Sequence, residues 1–169
     1  AGYSLCRGEI MAGNPKWCLS LDEWRSRFAH WIDSGSPEAL LHGSIFFDLR
    51  ALAGNVQLGM ELRSWLIEHV PKNRRFLHQL AVNALDNQLP LGFLGRLSPG
   101  KGGLIDLKLS GATLFVDAGR IFSLAGGIDE TRTEARFRSA GRQMGIAPHE
   151  TEAWIAAFYH IQGQRLKRQ

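Results

Sequence analysis

The residues best placed to do chemistry in this chain lie within Leu41-His-Gly-Ser-Ile-Phe-Phe-Asp-Leu-Arg50. A Gly-Ser turn such as Gly43-Ser44 can cradle phosphates, and a carboxylate such as Asp48 can hold Mg²⁺ against a triphosphate. Metal-assisted phosphate chemistry of that kind needs a pair of carboxylates, usually Asp-x-Asp or Asp-x-Glu on one strand. Asp48 stands alone and too near the turn. No Asp-x-Asp, Asp-x-Glu or Glu-x-Asp occurs anywhere in the chain. The stretch therefore specifies no complete catalytic site.

Other motifs fall short in the same way. Gly95-Arg-Leu-Ser-Pro-Gly100-Lys101 follows the P-loop pattern, but Gly102 replaces the Ser or Thr that should reach Mg²⁺. No helix starts after Lys101, so the segment reads as a surface loop. His30, His42, His69, His78, His149 and His160 are scattered singly, and no metal site is expected. Cys6 and Cys18 have neither zinc spacing nor the numbers for a disulfide framework, which points to a reducing, cytoplasmic compartment. Arg132, Arg136, Arg138 and Arg142 read as a solvated basic helix face, with Glu134 placed to pair with Arg138. Asp106, Lys108, Asp117 and Arg120 cluster around a Gly-rich loop. Cations beside loop N–H groups suit a phosphate or an acidic acceptor, so Lys108, Arg120 and Arg50 are the candidate substrate-binding residues.

The elements that must position these groups are helical. Ser20 with Glu23 forms a capping-box pattern, and Leu21, Trp24, Phe28, Trp31 and Ile32 follow on one face as far as Gly35. Ser36-Pro37 opens a second helix over about 37 to 52, with Leu41, Ile45, Leu49 and Leu52 as its stripe. Asp48 falls inside that stripe and needs a partner, because an unpaired buried charge is costly. Arg63, inside the Val56, Met60, Ile67 stripe of a third helix over 56 to 70, is the first candidate. Further helices are expected over 73 to 87, 112 to 125, 131 to 144 and from Pro148 onward. A Gly-rich loop and a short extended segment near residues 95–111 interrupt them. The architecture is an all-α bundle of six or seven helices.

Composition agrees with this. The 169 residues are 44% hydrophobic and 21% charged, with net charge +4 and pI about 9.4. That is enough for a packed core and too weakly basic for a strong nucleic-acid footprint. No apolar run is long enough to span a membrane.

Several short motifs occur in order and cover nearly the whole chain. They are Gly2-Tyr-x-Leu-Cys6-x-Gly8-x-x-Met11-Ala-x-Asn14-Pro15, Ser44-Ile-Phe-Phe-Asp48-Leu-Arg50, Asn83-Ala-Leu, Pro90-Leu-Gly92, Ile105-Asp-Leu-Lys108 and Asp117-x-x-Arg120. Together they resemble the C-terminal part of bacterial signal-transduction nucleotidyltransferases similar to PII-uridylyltransferase. Those proteins often also carry cyclic-nucleotide-binding and CBS modules. The resemblance implies that residues 1–19 are the trailing segment of an upstream nucleotidyltransferase domain and that 20–169 form a helical substrate-binding domain. It places the paired-Asp motif, Mg²⁺ and the nucleoside triphosphate in that upstream domain, with no catalytic residue or cofactor here. The implied partners are the upstream domain and a phosphate-bearing or acidic substrate or acceptor protein. Residues 1–19 should project from the bundle. The alternatives are a regulatory or dimerisation module without a ligand and, less favoured, a weak nucleic-acid binder.

Overall fold

The computed structural model describes residues 8–11, 13–86 and 106–167. Ser20 caps α1 (Leu21–Ser34) through a reciprocal capping box. Its Oγ accepts from the Glu23 N–H, and its own N–H donates to Glu23 Oε2 at 2.7 Å. Gly35 ends α1 in the left-handed region at φ 58°, where a Cβ would also strike the Gln79 side chain at 2.0 Å. Ser36 then caps α2 (Pro37–Phe46), with proline in its first turn.

Helix α2 stops about a turn and a half short of the expected end near residue 52, and a long-range contact holds the chain where it turns off: the Phe47 carbonyl accepts from Arg63 Nη1 at 2.6 Å. The predicted stripe fails with it. Leu41 and Leu52 are 56% and 80% exposed, whereas Ala39, Leu40, His42, Gly43 and Phe47 face the core.

Asn55 caps α3 (Val56–His69), which runs into a 3₁₀ turn, Val70–Lys72; Asn73 then caps α4 (Arg74–Leu85). The predicted extended segment is not a strand where it is described. Asp106 Oδ1 accepts from the N–H groups of Lys108 and Leu109, and a π-helical turn, Lys108–Ala112, follows. In that turn the Ala112 N–H donates to the Leu107 carbonyl at 2.9 Å. The turn feeds α5 (Thr113–Gly126), then α6 (Thr133–Met144) and α7 (Pro148–Leu166) follow. The described residues thus form seven α-helices and no strand. None of the helices is long and apolar enough to cross a membrane. The P-loop-like segment 95–102 lies outside the described residues.

One core is aromatic and belongs to α1–α4. Phe28, Trp31, Phe47, Leu66, Val70 and Phe76 are at its centre. The α5–α7 side is closed by Phe115, Phe122, Phe137, Trp154 and Phe158. Helix α5 joins the two, packing on α4 and α6.

The described residues before α1, 8–11 and 13–20, do not project from the bundle. Trp17 is 8% exposed, stacks on Trp24 at 6.1 Å between centroids, and packs on Trp31 and Phe46. Its Nε1 donates to the Glu9 carbonyl at 2.9 Å, and Ile10 also touches the core. Truncating a buried tryptophan typically costs about 3–5 kcal/mol. Trp17→Ala should therefore shift the urea midpoint sharply downward. A variant unfolding with the parent would mean the segment only rests on the surface.

Candidate functional site

Three arginines meet at the corner after α2. Arg120 from α5 donates through Nε and Nη2 to Asp48 Oδ2, at 3.1 and 2.7 Å, and through Nη1 to Asp117 at 2.6 Å. Arg136 from α6 donates to Asp48 Oδ1 and, through Nε, to the Glu130 carbonyl at 2.8 Å. Arg63 from α3 holds the Phe47 carbonyl, Asp129 at 2.8 Å and the Glu130 carbonyl at 3.0 Å. Arg63, Arg120 and Arg136 are all buried. The expected Asp48–Arg63 pair is therefore wrong in its partner. Arg63 takes the backbone beside Asp48 and a different carboxylate, and Asp48 takes two cations that sequence spacing did not offer.

The charges nearly balance, which is what allows them inside. Burial pushes the Asp48 carboxyl up, but its hydrogen bonds to Arg120 and Arg136 and their charges outweigh burial and hold it below the ordinary range. Burial raises Asp117 and prevails over Arg120, with the nearby Asp48 charge adding to the rise. A depressed folded value means that the Asp48 contribution is complete above about pH 4, the unfolded value, and is lost as pH falls below it. Asp117 works in the opposite sense and takes up its proton earlier on the way down.

Beside this network lies a pocket of about 460 Å³ between α2, α4, α5 and α7. Lys108, Arg120 and Arg165 line it with Asp117, Asn83 and Ser44, over an apolar floor that includes Leu80 and Val116. Arg120 is committed to Asp48 and Asp117 and forms a fixed wall. Lys108 and Arg165 are the more available cations. Asp106 lies below its ordinary value, first through the Leu109 N–H and then through the Lys108 N–H and the Lys108 and Arg165 charges. Arg165 also donates to Gln162 at 2.6 Å.

Of the three candidate binding residues, Lys108 and Arg120 share this pocket. Arg50 does not. It lines a separate cleft with Ile10, Met11, Trp24 and Leu49. Arg165 was missed because it sits in the basic end of the chain, where a charge signals nothing by itself. The basic face of α6 is divided. Arg136 is 2% exposed, and Arg138 pairs with Glu152 at 2.8 Å rather than with Glu134. Among the described residues no group of three or more His, Cys, Asp or Glu could hold a metal ion.

The pocket lies largely on α4, α5 and α7, and residues 74–169 match the family described as putative nucleotidyltransferase substrate binding domain. The chain belongs to that family. A second model, for the putative nucleotidyltransferase DUF294, matches residues 1–38. No curated protein and no solved structure matches the chain. In this substrate-binding family member, the α5–α6 side that carries the match and the earlier helices are tied together at Asp48.

Removing one partner from a buried ion pair costs roughly 3–5 kcal/mol, and Asp48, about a quarter exposed, belongs at the lower end. Asp48→Asn should lower the melting temperature at pH 7 by several degrees and flatten the loss of stability below pH 4. Acid titration of both proteins by circular dichroism checks this; parallel curves would show that Asp48 contributes no charge-dependent stability.

Proposed function

We propose that this chain is the accessory domain of a nucleotidyltransferase of the protein-PII-uridylyltransferase type in bacterial signalling. It holds a nucleotide or an acidic acceptor for the catalytic domain of the same polypeptide and does no transfer itself. The supporting observation is the α2–α4–α5–α7 pocket. It presents Lys108 and Arg165 beside a guanidinium already fixed by two carboxylates.

That arrangement suits anion binding for a physical reason. Arg120 and its carboxylates are ordered before a ligand arrives, so little reorganisation is needed at the wall. Lys108 and Arg165 can then contribute charge-assisted hydrogen bonds that the protein itself does not saturate. The apolar floor gives a sugar, base or side chain a dry surface. Two-carboxylate Mg²⁺ chemistry has no counterpart among these residues, so catalysis is assigned to the partner domain, with Mg²⁺ and the nucleoside triphosphate. Since nucleotides are the working ligands, the cytoplasm is the proposed compartment.

A dimerisation or regulatory role is the second reading, favoured by one observation. Residues 51–60 carry no charge, and Leu52, Val56, Leu58 and Met60 are 80%, 47%, 50% and 58% exposed. Val56 and Met60, one turn apart on α3, share a face, and exposed apolar side chains so placed favour an interface.

Two measurements test the proposal. The chain incubated with Mg²⁺, labelled nucleoside triphosphates and candidate acceptors should give no labelled product; turnover surviving repurification would refute the non-catalytic assignment. Calorimetric titration with nucleoside triphosphates should show binding that Lys108→Ala/Arg165→Ala weakens about tenfold or more, as loss of charged hydrogen bonds implies. Undiminished binding would move the site elsewhere. A concentration-dependent dimer in light scattering would instead favour the second reading.

A further inference from the structure

A different face of α2 carries a second constellation that the proposed function does not use. It is a depression of about 140 Å³ lined by Trp17, Trp31, Lys16, Arg27 and His42, and also by His30 and Glu38. His42 is 8% exposed, and its Nδ1 is buried with no hydrogen-bond partner. Its ring packs against Trp31 at 4.9 Å and Trp17 at 5.4 Å between centroids. A buried polar atom without a partner is rare in folded proteins and calls for an explanation.

The cations around it are equally unbalanced. Lys16 Nζ lies 5.0 Å and Arg27 Cζ 5.6 Å from the centroid of the same Trp17 ring. Arg27 Nη1 also donates to the Lys16 backbone carbonyl at 3.0 Å, which anchors the Arg27 side chain beside residue 16. Neither forms an ion pair with a carboxylate among the described residues, whereas Arg25, Arg63, Arg120, Arg136 and Arg138 all do. Glu23, one turn before Arg27, gives its Oε2 to the Ser20 capping box and feels the Arg27 charge without forming an ion pair with it. Glu38 lines the same depression and its charge acts on His42, but it forms no ion pair with Lys16 or Arg27.

We propose that Lys16, Arg27 and His42 form an anion site for one phosphate-sized oxyanion, separate from the α4–α5–α7 pocket. The oxyanion supplies the negative charge that the two cations lack. It also lies against the His42 ring, which lines the same depression. Trp17 serves as the platform that keeps both cations over the opening. Burial lowers the proton affinity of His42; Glu38 opposes this, and Lys16 and Arg27 reinforce it. An oxyanion favours the protonated ring, so binding is accompanied by proton uptake and tightens as pH falls.

Inorganic phosphate is the probe, with Trp17 and Trp31 as fluorescent reporters and the His42 imidazole followed by NMR. The expected result is a saturable fluorescence change and a His42 titration displaced to higher pH when phosphate is bound. Lys16→Ala/Arg27→Ala should weaken binding about tenfold or more. Melting curves of that surface variant should match the parent. Lys108→Ala/Arg165→Ala should leave phosphate binding at this site unchanged, which separates its fate from that of the proposed function. Adding ATP to the Lys108/Arg165 variant distinguishes the source of the anion. Displacement of phosphate assigns the site to the phosphates of a nucleotide, and failure to displace assigns it to free phosphate. Absence of a saturable response, equal affinity in the Lys16/Arg27 variant, or an identical His42 titration with and without phosphate would overturn the proposal.

Discussion

Everything on the α5–α6 side is referred to the earlier helices through one carboxylate and one carbonyl, Asp48 and the adjacent Phe47 C=O. Guanidinium groups from α3, α5 and α6 converge there and, through Asp129 and Glu130, also hold the α5–α6 connection. A planar fork with several donors can satisfy a carboxylate and a backbone oxygen at once, which a lysine could not do. The arrangement tolerates no single loss well. Each arginine is buried, so deleting any acceptor strands a charge in a low-dielectric setting.

The pocket inherits its shape from this knot. Two of its walls, α2 and α4, come from before residue 86, and the others, α5 and α7, from after residue 106. The mouth between them keeps a constant width only if the two groups stay in register. Arg120 does this directly, because the same side chain lines the cavity and clasps Asp48. Binding geometry and folding stability are thus carried by one residue, and a substitution there would confound the two.

Much of the helical frame was legible from local chemistry. Ser20 with Glu23, Ser36-Pro37, Gly35 and Pro148 all act where capping and proline geometry place them, since these signals need only neighbours within one turn. The errors lie where a distant group intervenes. Arg63, sixteen residues from Phe47, holds the turn at which α2 leaves off early, and no periodicity within α2 could announce it. Arg136 looked like one member of a solvated basic stripe, yet its acceptor on Asp48 lies 88 residues earlier. Trp17 likewise sits in a stretch rich in turn-forming residues, and only the aromatic faces of α1 and α2 make it core. The candidate site divided along the same line. Lys108 and Arg120 were close enough in sequence to be grouped, whereas Arg165 reaches the pocket only because α7 folds back over the π-turn.

The π-turn at Lys108–Ala112 has a consequence for how this lineage can change length. A π-turn accommodates one residue more than an α-turn, and each residue added to a continuous helix rotates everything upstream by about 100°. Absorbing the surplus in the bulge leaves the face of α5 undisturbed, so Arg120 still points at Asp48 while Lys108 keeps its own azimuth over the cavity. The bulge behaves as a register buffer. Deleting one residue within it would regularise the helix and improve its hydrogen bonding, yet swing Lys108 away from Arg165. Local helix quality and convergence of the two cations are set against each other at this point in the chain.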